Sequence, residues 1–286
     1  ATFKQDSLLL LSKATTSISQ GSGNNSGGAR CTWELCPATV TLAHRVSSAV
    51  AGDDLVTNVM LHTPDLFMES KIESKNANRI NLQLPLQGFA EALKASSQAL
   101  STVLRLTKRD GAAMLAFEYT MPGVAAGSAI QQFLPVEAIL TDEQAAVIRE
   151  LSVPEPEFQL YFPGVHVLKS MVDRMKSLGA HHVRVKVQKG PEGDKATMEV
   201  ACESGQAQVA TKFPNLAITM EQKALPCPDF AEVVMPISRL QSLIGVCSVG
   251  VQRTVLCVAQ GRALLVYMGL SHGVGTFMCV APVSTE

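Results

Sequence analysis

The sequence predicts an α+β fold built from two copies of one domain plan. Two prolines, Pro85 and Pro236, each follow a strand-like run and precede an amphipathic helical pattern. A hairpin pattern follows each of these helices, and a further strand pattern follows each hairpin. Antiparallel hairpins interrupted by two helices per half point to α+β domains rather than to βαβ winding.

The elements follow in order. "QDSLLLLSKATTSISQ" predicts a first helix over 6–19, with Asp6 or Ser7 as its cap, because a short polar side chain satisfies free N–H groups at a helix start. "GSGNNSGG" (Gly21–Gly28) reads as a flexible loop. "CTWELCPATVTLAHRV" predicts short strands around Pro37, and "NVMLHTPDLFMESKIES" adds strand and turn. Ile80–Leu84 reads as a strand that meets Pro85; Leu86, Phe89, Ala90, Leu93 and Leu100 then recur at helical spacing. Proline suits the first turn of a helix, where its missing N–H would have no partner. Asp110-Gly111 supplies the turn of the hairpin that follows.

In the second half, "FQLYF" is a strand and Pro163 stands where the next helix starts. Val165, Leu168, Val172, Met175 and Leu178 form one apolar face, making this helix the partner of the one over 6–19. After Pro236, Ile237, Leu240 and Ile244 repeat the offsets of Leu86, Phe89 and Leu93, with Leu243 and Cys247 extending the face. "RTVLCVAQGRALLVYMG" is a hairpin turning at Gly261, and "SAIQQFLPV" and "GTFMCVAPV" are the strands that close the halves. The expected boundaries are domains at 1–134 and 158–286, joined by a connector over 135–157 with a proline-rich end.

Composition narrows the class. Of 286 residues, 47% are hydrophobic and 17% charged, which is globular rather than disordered. The net charge of −1 excludes an overall basic field but leaves room for a local basic face. The seven cysteines (Cys31, Cys36, Cys202, Cys227, Cys247, Cys257, Cys279) are scattered without a CxxC pair and read as buried free thiols. No apolar run approaches the ~20 residues of a membrane span, and "ATFKQDSLLLL" is read as carrying no secretory signal.

The outer helix faces carry Lys13, Lys94, Lys169, Arg174, Lys176 and Arg239 among Ser, Thr and Gln. Such faces are either solvated surfaces or a weakly basic surface that touches phosphates without reading bases. No aromatics interleave the cations, so stacking on single strands is not suggested. His181-His182 lack a carboxylate or cysteine at ligand spacing, "GSGNNSGG" is not a phosphate-binding P-loop, and Glu155 and Glu157 alternate with prolines in an extended segment, where they point to opposite sides. Cys36 and Cys227, each next to proline, have no activating base in the sequence. No catalytic residue, metal or cofactor is expected.

Together these features resemble the sliding DNA clamp superfamily. "VPEPEFQLYFPGVHVLKSMVDRMKSLGAHHVRVKV", "INLQLPLQGFAEALKASSQALSTVLRLTKR", "TKFPNL" and "FMCVAP" narrow the likeness to the Hus subunit of the nine-one-one DNA-damage checkpoint clamp. It runs over most of the chain from about residue 55. "ATFK" alone stands where the family has its first strand, "GSGNNSGG" looks like an insertion, and the connector carries Asp142 and Glu143.

The resemblance implies a non-enzymatic subunit of a heterotrimeric ring around duplex DNA, serving checkpoint and repair proteins in the nucleus. Its partners would be two other clamp subunits, a clamp loader and double-stranded DNA. The helices would line the hole, making the six cations above the DNA-facing set. Met114 and Ala116 on an edge strand over 112–120 would meet Val209 and Thr211 of a neighbouring subunit. Ile139, Leu140 and Pro282 would contact partner peptides. A homotrimeric replication clamp, a cysteine-dependent enzyme and a plain interaction scaffold remain alternatives.

Overall fold

The computed structural model describes every residue except 22–27, 47–53, 124–127, 150–152, 163–164, 192, 206, 220–227, 247–250 and 284–286. Pro163, Cys227, Cys247 and most of the Gly21–Gly28 loop therefore lie outside the described residues, as do the side chains of Val165 and His166. The chain divides into two compact units. One comprises Ala1–Arg45, Thr57–Leu151 and Leu270–Phe277; the other comprises Val46–Val56, Ser152–Gly269 and Met278–Glu286.

The first unit opens with β1 (Thr2–Phe3) and helix α1 (Gln5–Gly21), then β2 (Arg30–Leu35), β3 (Thr39–Val46) and β4 (Leu55–His62), the last residue of β3 and the first two of β4 being counted with the second unit. A single turn, α2 (Thr63–Leu66), leads to β5 (Phe67–Glu69). Then come β6 (Ile80–Pro85), α3 (Leu86–Ser96), β7 (Ser101–Arg109), β8 (Ala112–Thr120), β9 (Ile130–Pro135), β10 (Ala138–Leu140) and α4 (Asp142–Arg149). One sheet has the order β5-β1-β7-β8-β9; the other strands of this unit follow the order β10-β6-β2-β3-β4.

Pro85 ends β6 and caps α3 at φ −65° and ψ 116°, so no loop residue separates strand from helix. Leu86, Phe89, Ala90 and Leu93 are buried on one face of α3. Phe89 lies 4.9 Å from Trp33 of β2 and 6.4 Å from Phe117 of β8, joining the two sheets through one ring. Burial of such a side chain contributes about 1.5–3 kcal/mol. Asp110 (φ 51°) and Gly111 (φ 82°) are both left-handed, as a two-residue primed turn requires, and set the register Arg109↔Ala112.

In the second unit, β11 (Phe158–Tyr161) precedes α5 (Val165–Ser177), β12 (His182–Lys189), β13 (Lys195–Ser204), β14 (Ala207–Ala217), β15 (Phe230–Pro236) and α6 (Ile237–Val246). The hairpin β16 (Val251–Ala259) and β17 (Ala263–Leu270) follows, then β18 (Gly275–Pro282); Met278 onward belongs to this unit and Leu270–Phe277 to the first. Four strands pair in the order β14-β13-β12-β15, and the remaining strands run β18-β17-β16-β11. Leu168, Val172 and Met175 of α5, and Ile237, Leu240, Leu243 and Ile244 of α6, are buried.

Four expectations need correction. Helix α1 begins at Gln5, so Asp6 and Ser7 fall inside its first turn rather than at its cap. Lys4 O accepts the Leu8 N–H at 2.9 Å, while Ser7 Oγ donates to Asp65 O at 2.7 Å. Leu100 is not on the buried face of α3: that helix stops at Ser96, and Leu100 is 66% exposed. Leu178 likewise stays outside the core at 50% exposure. It is the last residue before Gly179 (φ 79°), where a left-handed cap ends α5: Gly179 N–H bonds Lys176 O at 2.9 Å and Ala180 N–H bonds Met175 O at 3.3 Å. Finally, β8 is not an edge strand. It lies between β7 and β9, with Met114 opposite Pro135 and Ala116 opposite Phe133.

Candidate nucleic-acid interface and subunit edges

In the second unit α5 packs on α6, and the two form a basic pair. Lys169, Arg174 and Lys176 stand against Asp173 on α5, and Arg239 is the charged residue of α6. Gln241 of α6 ties the helices: its Nε2 donates to Asp173 Oδ1 at 2.7 Å, and its Oε1 accepts from Lys176 Nζ at 2.9 Å. Asp173 is thus drawn to the amide, and Lys169 and Arg174 are exposed without a side-chain partner among the described residues. Arg239 is half-buried and donates through Nη1 to Pro282 O at 2.8 Å, so it braces the end of β18. In the first unit α1 packs on α3. There Lys13 and Lys94 are offset by Asp6 and Glu91, so that pair is electrostatically balanced.

The sheet edges are the second functional element. In the first unit the five-stranded sheet ends at β9, and Phe133 of that strand lies beneath Arg109, whose guanidinium carbon is 5.0 Å from the ring centre. In the second unit β14 is an eleven-residue edge that carries Val209 opposite Cys202 and Thr211 opposite Val200. Unpaired strand edges are templates for another chain.

The connector is held to the first unit by a strand, two ion pairs and a capped helix. β10 pairs with β6, placing Ile139 opposite Leu82 and Leu140 opposite Asn81. Arg30 Nε meets Glu137 Oε2 at 2.6 Å just before it. Beyond it, Arg79 bridges the buried Glu34 (3.0 Å) and Asp142 (3.8 Å), and Asn81 Nδ2 donates to Asp142 Oδ1 at 2.8 Å. Asp142, read from sequence as a departure from the family, is therefore a structural anchor. Thr141 and Gln144 exchange hydrogen bonds at 3.0 and 3.3 Å, a capping box that starts α4. Ile139 is 61% exposed on β10. Ile139 and Leu140 belong to the first unit and Pro282 to the second.

The described cysteines do not form a reactive centre. Cys31, Cys202, Cys257 and Cys279 are buried, and Cys36 Sγ lies 2.9 Å from Thr39 O. Burial, with the Glu137 charge adding to it, pushes the Cys31 thiol far above its usual range, away from the thiolate a nucleophile needs. His44 is buried with Nδ1 2.7 Å from Arg30 O; burial lowers its pKa, and that contact opposes the shift. Among the described residues no group of His, Cys, Asp or Glu is placed to hold a metal ion. No described helix is long and apolar enough to cross a membrane.

Solved structures share this fold. Proliferating Cellular Nuclear Antigen from Entamoeba histolytica matches with a TM-score of 0.67 at 11% identity, covering 99% of this chain and 98% of that one. The PCNA2-PCNA3 complex from Sulfolobus tokodaii matches at 0.62 and 12% identity, covering 95% and 96%. In sequence, the chain is 25% identical over 265 residues to Checkpoint protein hus1 of Schizosaccharomyces pombe, covering 84% of each. It is 25% identical over 209 residues to the hus1 homolog of Dictyostelium discoideum (72% and 73%), and 23% identical over 158 residues to Checkpoint protein HUS1 of Homo sapiens (54% of each). The family model described as Hus1-like protein matches residues 24–280, so the chain belongs to that family, whose members are non-enzymatic checkpoint clamp proteins.

Proposed function

We propose that this chain is one subunit of a heterotrimeric ring that encircles duplex DNA in the nucleus, and that it presents checkpoint and repair proteins there. The observation that carries the DNA contact is the basic α5–α6 pair, on which Lys169 and Arg174 are exposed and unpartnered among the described residues. Such cations neutralise phosphates and release counterions without reading bases. Lys176, Lys13 and Lys94 are further members of the DNA-facing set; Arg239, bound to Pro282 O, supports α6.

The proposed domains are 1–134 and 158–286, with 135–157 as connector. Subunits join edge to edge: β14, with Val209 and Thr211, pairs with a neighbour's strand, and β9 is the pairing strand of the first unit in place of β8. Met114 and Ala116 lie directly behind β9 and shape that edge from the inside. Ile139 and Leu140, held out on β10, are proposed contacts for partner peptides, with Pro282 a separate one on β18. A clamp loader is the expected means of placing a closed ring on DNA.

The test is topological. The chain is mixed with candidate partner subunits and loader on circular and on linear DNA. Retention on circles with loss from linear ends supports the ring. Equal retention on both overturns it, and a stable trimer of this chain alone overturns the heteromeric assignment.

A further inference from the structure

The four-stranded sheet of the second unit has two edges, and they are not alike. β14 is one edge and β15 the other. In an antiparallel strand, backbone groups at alternate residues face alternate sides. The Lys189 N–H bonds Asp229 O at 2.9 Å, so odd-numbered residues of β15 face β12, and Phe230, Glu232, Val234 and Pro236 turn their backbone groups to the outside. Pro236 has no N–H to offer.

Glu232 sits in the middle of that set, and both of its outward groups are taken. Its N–H donates to the Gln260 side-chain oxygen at 2.6 Å, and its carbonyl accepts the Gly261 N–H at 2.9 Å. One side-chain amide and one backbone amide thus imitate a strand residue opposite Glu232. Gly261 is left-handed (φ 61°), which lets the turn between β16 and β17 present its N–H this way. The turn is itself held. Gln260 N–H donates to Glu157 Oε2 at 2.7 Å, and Arg262 Nη2 reaches Glu157 Oε1 at 2.9 Å and Glu155 O at 3.0 Å.

An incoming strand needs consecutive outward pairs. With Glu232 occupied and Pro236 lacking a donor, β15 has no two neighbouring outward residues that can both exchange bonds with it. No such plug occupies Gln208–Phe213 of β14 among the described residues. We propose that the Gln260–Arg262 turn is an edge cap that closes β15 to incoming strands, so that this sheet offers β14 alone for pairing. Glu155 and Glu157, which the sequence leaves without a chemical role, gain one here: they hold the cap in place.

The proposal stands apart from the ring and is tested on the chain alone. Gln260→Ala removes the acceptor, and Gln260→Glu retains a carbonyl-type oxygen. Two readouts are used: amide hydrogen exchange at Glu232, and sedimentation velocity over a concentration series. The expected result for Gln260→Ala is exchange at Glu232 faster by about tenfold or more, together with concentration-dependent self-association beyond that of the parent chain. Gln260→Glu should restore both toward the parent. Adding Glu232→Pro to Gln260→Ala removes the outward donor shared by both pairs that the first change opens, Phe230/Glu232 and Glu232/Val234, without touching a bond to β12, and should abolish the added association. Faster exchange at Glu232 in Gln260→Ala with unchanged mass overturns the proposal, as does association that persists with Glu232→Pro.

Discussion

The two helix pairs share one plan and differ in charge. α1 and α3 carry Lys13 and Lys94 against Asp6 and Glu91; α5 and α6 carry Lys169, Arg174, Lys176 and Arg239 against Asp173. Their buried faces are built alike, down to the proline that starts α3 and α6. The duplicated scaffold therefore constrains the inward positions, and the outward ones are free to diverge. If the helices face DNA, the second unit does most of the electrostatic work, and the first offers a nearly neutral wall.

The largest effect that tests this asymmetry is charge reversal in the assembled ring. Lys169→Glu with Arg174→Glu should shorten retention on circular DNA by about tenfold or more, and should lower the slope of log affinity against log salt by roughly 0.9 for each phosphate no longer neutralised. Lys13→Glu with Lys94→Glu should do less. Equal effects would show that the imbalance seen in each pair alone does not matter on DNA.

A second contrast is in acid stability. His44 belongs to the first unit, and burial holds its pKa below the ordinary value. Below about pH 6.5 the unfolded chain binds a proton there that the folded chain resists, so stability falls as pH drops toward the lowered folded value. The slope from this group is at most about 1.4 kcal/mol per pH unit. His44→Asn should reduce that slope between pH 6.5 and 5. Trp33, buried in the same unit, reports the unfolding by fluorescence; an unchanged slope would remove His44 as the cause.

The smallest effect concerns Gln241. Its replacement by Ala breaks the bridge between Asp173 and Lys176. Exposed interactions of this kind contribute about 0–1 kcal/mol, so melting should hardly move. Retention on DNA should fall slightly, because Asp173 is released to pair with neighbouring cations. A marked loss of stability would mean that the bridge holds α5 to α6.

What the sequence makes legible is what local rules decide. Pro85, Pro236 and Asp110-Gly111 lie where they were expected because proline and a left-handed turn act within a few residues. The box Thr141–Gln144 was equally local and would have announced α4. The edge strand was not legible. Nothing within 112–120 says that Ile130–Pro135 will pair beyond it, because sheet order is set by the whole chain. Arg79, Glu34 and Asp142 meet across the fold, so the anchoring role of Asp142 was invisible too. The cations were legible as residues, but the commitment of Arg239 to Pro282 needed the structure.

The absence of any loop residue between β6 and α3, and between β15 and α6, gears each helix to its strand. A strand slipped by one residue inverts its faces, and each residue fed into a helix turns it by about 100°. Neither helix can then change its rotational phase while the sheet stays in register. Where Lys94 points is thereby indexed to the ladder that places Leu82 opposite Trp33, and the position of Arg239 to the one that places Val185 opposite Val233.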